Sequence, residues 1–492
     1  MATYRHKITT SEVPTALLSP VTGEAGLTVV FGTSPINMGD IANVNEPVLA
    51  YTYAEAVKKL GYVPARQIAG TNEKPIKIFD YTISEAIDSH FSKFNVAPLI
   101  MVNVLNPATH KTSITDEVVA LADGIGNVIK SGAVLSTVVV KNAAEVATVN
   151  VDYILTFTID GLIQINAIDG KELDGVASVT VSYDYLDPTK VTAADIVGGI
   201  DPTTFKRKGL ELLDEVFPRF RLVPGTVIAP GFSTDNSVSV VLKSKVKNIN
   251  SVFRAEAIID IDTATVIDYT KVPEAKENAG LSDTALIVAW PRVALSGTQY
   301  HLSTQLASLM HLTDSENGDV PYASPSNKNL SADSAVLESG AEVWLDVNQA
   351  EYLNSQGIVT ALNFIGGWKA WGNETSAYPA TSDVKERFIP VRRMFNWIGN
   401  TLVTTFWNRL DYPLNKRQVE TIQDSANDWL NSLVAQGYLL GGRVEFLRAE
   451  NPDTGLLDGA SVFHVYLAAP TPNGDIEFKL EYDTSYLQAL FG

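Results

Sequence analysis

The sequence predicts a multidomain protein that combines α/β and α+β architecture, and three observations support this class. A chain of 492 residues, 45% of them hydrophobic, exceeds one ordinary core and predicts about two to four domains. Strand-like and helix-like stretches alternate before residue 109 and after residue 190, which is typical of a parallel sheet covered by helices. The stretch between them is nearly all strand-like, and the chain ends in two helices followed by strands.

The first region opens with an extended arm at residues 1–20. Pro14 and Pro20 disfavour a helix here, because each proline restricts the residue before it and lacks an amide hydrogen. The next stretches predict a buried strand at 27–33, helices at 53–60 and 83–91, and a strand at 98–105.

The second region, residues 109–190, predicts a small antiparallel β domain inserted into the larger fold. Thr, Val and Ile dominate its strand-like runs. Asp160-Gly161 lies between two of these runs and is a dipeptide that tight hairpins prefer. The predicted strands are 134–140, 153–159, 162–168 and 179–185.

The third region, residues 191–365, returns to alternating strands and helices. Short apolar runs predict strands at 227–229, 255–261 and 285–290. Apolar residues at helical spacing between Val238 and Val246, and again between Leu302 and Met310, predict helices. We therefore expect a mostly parallel sheet covered by helices.

The last region, residues 366–492, predicts an α+β domain. Pro390 suits the first turn of a helix whose apolar stripe ends at Phe406. Asn415 can cap a second helix, with Gln418 in the capping-box position, and Gly437 ends it. Strands are predicted at 443–448, 461–467 and 475–482. The apolar residues of the last strand alternate with charged ones, which predicts one face in a core and one in water: Ile476, Phe478, Leu480 and Tyr482.

Composition excludes several classes of function. The net charge of −19 disfavours binding to nucleic acid and to anionic membranes, since both require a basic surface. The absence of cysteine excludes disulfides, thiolate metal sites and cysteine nucleophiles. The segment Met1–Thr10 is not followed by the apolar run of a signal peptide, so we expect folding in a cytoplasm. We also expect no membrane insertion, because no apolar run approaches the ~20 residues of a spanning helix.

The α/β region offers the best candidate for an enzyme active site. Asp260 and Asp262 follow a strand, where α/β proteins tend to bind ligands, and His301 begins a helix. A serine-protease triad also requires a serine at a helix start, and no such segment follows His301. We therefore predict turn or capping roles for the two aspartates and no catalytic residue. Histidine spacing and glycine patterns likewise predict no metal and no cofactor.

Two groups of residues suggest interfaces instead. Lys416 and Arg417 lie in the first turn of a helix, where cations oppose the helix dipole. They are either solvated side chains or a docking site for an acidic partner, and the same alternatives apply to Arg392 and Arg393. The tryptophans of the glycine-rich cluster at 364–372 either line a tight crossing between domains or anchor a subunit interface: Trp368 and Trp371.

The chain resembles contractile tail sheath proteins of bacteriophages and of related contractile injection particles. The resemblance runs over most of the sequence. It is strongest at Ser11–Pro14, Pro321–Leu330, Gly357–Asn373, Phe388–Trp407, Asp424–Asn427, Gly442–Phe446 and Ala489–Gly492.

This resemblance implies a structural function. Sheath subunits stack as hexameric rings around an inner tail tube, and contraction of the sheath drives the tube through a host envelope and permits genome ejection. Partners would be the inner tube, the baseplate, the tail terminator and other copies of the chain. The location would be the virion tail, assembled in the host cytoplasm. An α/β hydrolase and a self-assembling surface or adhesin protein remain as alternatives.

The resemblance also assigns roles to regions. It implies an arm at 1–20, an inactive subtilisin-like α/β domain at 21–108 and 191–365, an outer β domain at 109–190, and an inner α+β domain at 366–492. The inner domain would face the tube, where Lys416, Arg417, Arg392 and Arg393 are the expected contacts. Both chain ends would exchange strands with neighbouring subunits through Ser11, Glu12, Val13, Ile476, Phe478, Leu480 and Tyr482.

Overall fold

The computed structural model of the protein describes residues 20–21, 23–68 and 75–491. The arm predicted at 1–20 lies outside the described residues except for Pro20. The strand-exchange residues expected there lie outside them as well: Ser11, Glu12 and Val13.

The first described region has the predicted order of elements. Its helix at 53–60 has the predicted bounds, and Thr52 caps it by accepting a hydrogen bond from the amide of Glu55. The elements are β1 (Thr28–Gly32), β2 (Pro47–Ala50), α1 (Tyr53–Leu60), β3 (Arg66–Ile68), β4 (Ile76–Ile78), α2 (Thr82–Ile87) and β5 (Leu99–Asn103). A π-helical segment, Asp88–Lys93, continues α2.

The β-rich region contains seven strands with a hydrophobic cluster of their own. The hairpin predicted around Asp160-Gly161 is confirmed, because the two strands beside it pair in antiparallel register. The strand predicted at 134–140 is largely wrong, since Leu135–Thr137 forms a 3₁₀ turn. The strands are β6 (Lys111–Ala120), β7 (Ile125–Ser131), β8 (Val139–Asn142), β9 (Glu145–Val146), β10 (Tyr153–Phe157), β11 (Leu162–Ala167) and β12 (Ser178–Leu186).

The next region alternates helices and strands as predicted. The elements up to α7 are α3 (Ala193–Val197), β13 (Gly199–Ile200), β14 (Arg207–Lys208), α4 (Leu213–Phe220), β15 (Thr226–Ile228), α5 (Asn236–Val246), β16 (Glu256–Asp260), α6 (Val272–Asn278), β17 (Leu286–Ala289), β18 (Arg292–Leu295), β19 (Thr298–Tyr300) and α7 (Leu302–Glu316). The remaining elements are β20 (Ser334–Val336), α8 (Val347–Asn354), β21 (Ile358–Asn363) and β22 (Trp368–Trp371).

The centre of the molecule is a sheet of order β2-β5-β1-β15-β16-β17-β21-β22. The six inner strands pair in parallel, and the two edge strands are antiparallel. The inner strands are apolar and buried on both faces, as a parallel sheet covered by helices requires. The predicted mostly parallel sheet is therefore confirmed.

The edge strand β22 alters one expectation. Trp368 pairs with Asn363 of β21, so the residues directly after Gly366 belong to the central sheet. The C-terminal boundary expected at residue 366 therefore falls inside this sheet.

The end of the chain consists of two long helices and a small sheet. Its elements are α9 (Val384–Arg387), α10 (Ile389–Phe406), α11 (Lys416–Ala435), β23 (Gly441–Glu445), α12 (Asp453–Leu457) and β24 (His464–Ala468). Both long helices were predicted, and the Asn415 side chain accepts a hydrogen bond from the Gln418 amide at the start of α11. β23 and β24 pair in antiparallel register, and β23 packs against α11.

The strand predicted at 475–482 is wrong as an element packed within this chain. Residues 469–483 contain no ladder hydrogen bonds and are followed by a 3₁₀ segment, Thr484–Phe491. The four apolar side chains of the predicted strand are 64–97% exposed: Ile476, Phe478, Leu480 and Tyr482. The expected apolar face therefore exists, but the chain provides no core for it among the described residues.

Candidate functional site

A closed polar cluster occupies the edge of the sheet where an α/β enzyme would carry its active site. Asp260 ends β16, and its carboxylate accepts hydrogen bonds from the Ser303 amide at 2.9 Å and from the Ser303 hydroxyl. Burial raises the pKa of the Asp260 carboxyl. Asp260 therefore fixes the first turn of α7 to the sheet, in a capping role like the one predicted.

His301 has a different partner. Its Nδ1 lies 2.8 Å from a carboxylate oxygen of Glu85, and its amide donates to the other oxygen at 2.7 Å. The Nε2 atom is buried and has no hydrogen-bond partner among the described residues. Aspartate, histidine and serine thus form two separate pairs rather than a relay, which disfavours the hydrolase alternative. Glu85 was missed by the sequence analysis because it lies in a helical stretch 216 positions away.

Asp262 behaves as predicted for a turn residue. Its carboxylate accepts hydrogen bonds from the Ala264 amide and the Thr265 hydroxyl. Within the described part of the chain, no group of three or more histidine and carboxylate residues could hold a metal ion. The same described ranges contain no helix long and apolar enough to cross a bilayer.

Two buried histidines lie between α7 and the π-helical segment. His90 and His311 have ring centroids 6.0 Å apart, and Ser308 contacts both His90 and Ser89 at 2.8 Å. Burial lowers the pKa of His90 well below its usual value and that of His311 to about 4. Both rings are therefore neutral at pH 7 and belong to the core.

Arg393 forms an internal ion pair and does not contact the surface. The guanidinium is 2% exposed, pairs with Asp314 through two nitrogens, and donates to the carbonyl of Ala25. Glu256 lies 3.9 Å away on its other side. This cluster joins α10 to α7, β16 and the start of the described chain. The prediction that Arg393 contacts an inner tube is therefore wrong in this structure.

Arg392, the residue before Arg393 in α10, is half-buried. One terminal nitrogen donates to Asn396 at 2.9 Å, and the guanidinium lies 5.7 Å from the Phe395 ring. Burial lowers the pKa of Arg392. The side chain therefore reaches a recess rather than the open surface that an inner-tube contact needs.

Lys416 and Arg417 are exposed at the start of α11, as predicted. The Lys416 side chain is 89% exposed and lies 3.5 Å from Glu420 one turn later. Exposed pairs of this kind contribute roughly 0.5 kcal/mol or less, so the two cations are available to a partner. The preceding turn exposes apolar side chains beside them: Trp407, Leu410, Tyr412 and Leu414.

The two tryptophans expected at an interface lie largely inside the molecule. Trp368 is buried and packs against Trp344, with ring centroids 5.6 Å apart, while Trp371 is half-buried. The segment Lys328–Leu330 hydrogen-bonds to the outer edge of β22. The role of interface anchor is therefore wrong for Trp368, because its ring is packed against its own chain. The exposed apolar residues of this cluster are instead Phe364 and Ile365 at the hairpin tip.

Known proteins resemble this chain in sequence and in fold. No family model matches the chain. A tail sheath protein of Burkholderia phage BcepMu is 27% identical over 502 aligned positions, which cover all of this chain and 99% of the relative. Over its whole length the chain is thus homologous to phage tail sheath proteins. Sheath proteins are structural proteins rather than enzymes.

Solved sheath structures share the fold over nearly the whole chain. The sheath of an extracellular contractile injection system, PVC, in its contracted state superposes with a TM-score of 0.57 at 14% identity and covers 99% of both chains. The helical sheath of the anti-feeding prophage in its contracted state gives a TM-score of 0.54 at 15% identity, covering 97% of this chain and 98% of that one. The described fold is thus a sheath fold from its first strand to its last helix.

Proposed function

We propose that this chain polymerises as stacked hexameric rings into a helical sheath around an inner tube, and that contraction of the sheath drives the tube through a host envelope. The observation that carries the proposal is the exposed segment 475–482. It has the alternation of a strand with one apolar face, and its partner is absent from the described part of its own chain. Such a segment suits pairing with another copy.

Strand exchange explains this segment physically. An extended segment that adds to the edge of a neighbouring sheet gains main-chain hydrogen bonds and buries alternate side chains. The sheet of β23 and β24 is a suitable acceptor, because it contains only two strands among the described residues. A two-stranded sheet is marginally stable by itself, so added strands would complete it.

Contacts to the inner tube must break when the sheath contracts. Exposed charges suit this requirement, since surface ion pairs are individually weak and are screened by salt. Lys416 and Arg417 supply two such charges at the start of α11. We therefore retain these two residues, and not Arg393, as contacts to an acidic inner tube.

Contraction needs two packed arrangements of subunits that differ modestly in free energy. Small differences per subunit add up when many subunits move together. The extended state would be held by the baseplate and the inner tube until release. A subtilisin-like ancestry of the central domain fits this reading, since its catalytic edge is filled by the pairs Asp260–Ser303 and Glu85–His301.

Electron microscopy of the purified chain tests the proposal. We expect hollow tubes with helical striations from the wild type, and none after deletion of residues 1–20 or 470–492. The control is circular dichroism of each deletion at low concentration, which should retain the thermal transition of the wild type. Wild-type protein that stays monomeric under every assembly condition would contradict the proposal.

A double substitution tests the inner-tube contact separately. Lys416→Glu with Arg417→Glu should prevent sheath assembly on isolated tubes while leaving the fold intact. Lys271→Glu is the control, because Lys271 is also exposed but lies on the central domain. Normal sheathed tails from the double variant would refute the tube contact and leave strand exchange untouched.

A further inference from the structure

A cationic cavity lies where the central sheet meets α10. It encloses about 240 Å³ beside the amino ends of β16 and β17. Its lining residues are Lys247, Arg254, Ala255, Thr284, Ala285, Arg392 and Asn396. Three of the seven are cations, although acidic residues outnumber basic ones by 56 to 37 in the chain. This concentration of positive charge needs an explanation.

Arg392 provides a hydrogen-bond donor without an acceptor. Its Nε–H is buried and has no partner among the described residues, whereas a terminal nitrogen is held by Asn396. A buried unpaired donor is costly, and in native proteins such groups usually find a partner. The guanidinium is therefore held in place with a donor left unused.

Arg254 provides a second, more accessible guanidinium. Asn400 fixes its backbone by accepting from the amide at 3.0 Å and donating to the carbonyl at 2.8 Å. The side chain is exposed and forms no ion pair within the described ranges. A fixed backbone with a free cationic side chain is typical of a residue that meets a partner from outside.

The nearby carboxylates attract Arg392 without forming an ion pair with it. Asp283 pairs with Lys247, and Glu256 is buried beside Arg393 and accepts from Asn396. Glu256 attracts Arg392, as do Asp383 and Glu386 from the preceding segment, but none of the three accepts a hydrogen bond from its guanidinium. Asp383 pairs with Lys385, and Glu386 accepts from the Thr381 hydroxyl. Burial and the charge of Arg254 both lower the pKa of Arg392. The two guanidiniums therefore repel each other across the cavity.

We propose that this cavity binds the carboxylate of an aspartate or glutamate side chain from a second copy of this chain. A carboxylate matches the planar donors of a guanidinium and would satisfy the free Arg392 nitrogen. The cavity admits a side chain, and the acidic surface of another copy supplies one at high local concentration in an assembly. The inference rests on the proposed self-assembly and adds a specific inter-subunit contact to it.

Substitution of the exposed arginine tests the contact without disturbing the fold. Arg254→Gln should raise the critical concentration for tube formation about tenfold or more, as expected for loss of a close inter-subunit charge pair. It should also reduce the sensitivity of assembly to NaCl. Lys206→Gln is the matched control, since it removes the same charge from an exposed position outside the cavity. Assembly of Arg254→Gln with wild-type concentration and salt dependence would overturn the proposal.

A second measurement separates a subunit carboxylate from a free anion. Thermal unfolding of unassembled protein is followed with and without 10 mM inorganic phosphate, and with 10 mM acetate. A shift that depends on Arg254, combined with normal assembly of the variant, would assign the cavity to a free anion and contradict the proposal. If the wild type forms no tubes, the proposed function fails by itself. Sedimentation velocity then decides, because equal self-association of wild type and Arg254→Gln also contradicts the contact.

Discussion

Two segments of this molecule share a sequence pattern and differ in their surroundings. In β12, Val179, Val181 and Tyr183 alternate with polar residues and are buried between β6, β8 and the core of the β-rich region. In residues 475–483 a similar alternation leaves Phe478 and Tyr482 exposed and unpaired. Alternation thus specifies that one face seeks burial, but it does not specify which molecule provides the core.

The same distinction applies to charges. Arg393 has its acidic partners inside the chain and is buried with them. Lys416, on the next helix, has one weak neighbour and projects into solvent. Residues that have their partners inside the chain hold the subunit together. Residues without such partners are the candidates for contacts between subunits. Substitutions in the first group should therefore lower the stability of the subunit, and substitutions in the second group should act on assembly.

The largest contrast is expected between two tyrosines at equivalent positions of the alternating pattern. Tyr183→Ala should lower the free energy of unfolding by about 4 kcal/mol, because it removes a buried ring and the hydrogen bond to Glu117. Tyr482→Ala should change it by less than about 0.5 kcal/mol, because the ring is exposed. Urea unfolding of the unassembled protein measures both. Equal effects would show that segment 475–483 is packed in the free subunit.

A slightly smaller contrast is expected between two arginines. Arg393→Met should destabilise the subunit by roughly 3–4 kcal/mol, because Asp314 remains buried without a counter-ion. Arg417→Met should leave unfolding unchanged and act only on assembly. Thermal denaturation checks the first effect, and binding to isolated inner tubes checks the second. A stable Arg393→Met variant would show that the cluster is not needed to join α10 to the sheet.

The buried histidine His311 predicts a pH dependence of stability. Its pKa is lowered to about 4 by burial and by the positive charge of Arg393, so the unfolded chain binds a proton below about pH 6.5 that the folded chain refuses. The stability of wild type relative to His311→Gln should therefore fall by about 3 kcal/mol between pH 6.5 and pH 4. Denaturant titrations across this range measure the difference, and subtraction of the variant removes contributions from other groups. A pH-independent difference would show that the histidine is not buried as a neutral ring.

The smallest effect is expected at the cap of α11. Asn415→Ala should cost about 1 kcal/mol, since it removes the acceptor for the Gln418 amide. Asn415→Ser is the control and should retain most of the stability. If loss of the cap also weakens tube binding, the orientation of Lys416 and Arg417 depends on this helix start.

Local structure was largely predictable from the sequence. The bounds of α1, α10 and α11 follow from caps, prolines and apolar stripes that lie within a few residues of each helix end. The parallel central sheet follows from buried apolar runs separated by helices. β6 and β7 were missed because many of their side chains are exposed, which dilutes the apolar signal.

The candidate surfaces were predictable only in part. Exposure of Lys416 and Arg417 follows from their position beside the apolar stripe of α11. The burial of Arg393 depends on Asp314, 79 positions earlier, and no periodic pattern reports such a contact. Trp368 was misassigned for the same reason, since its packing partner Trp344 is on another segment.

The sequence alone therefore determined which stretches form helices and strands, which faces are apolar, and that cysteine chemistry is excluded. Only the tertiary structure decided which polar groups neutralise one another and which apolar face lacks a core within the described chain. The physical reason is the separation along the sequence of the residues that interact. Helix periodicity, caps and strand alternation are set by neighbours a few residues apart, whereas Glu85 and His301 meet across 216 positions and Asp260 and Ser303 across 43.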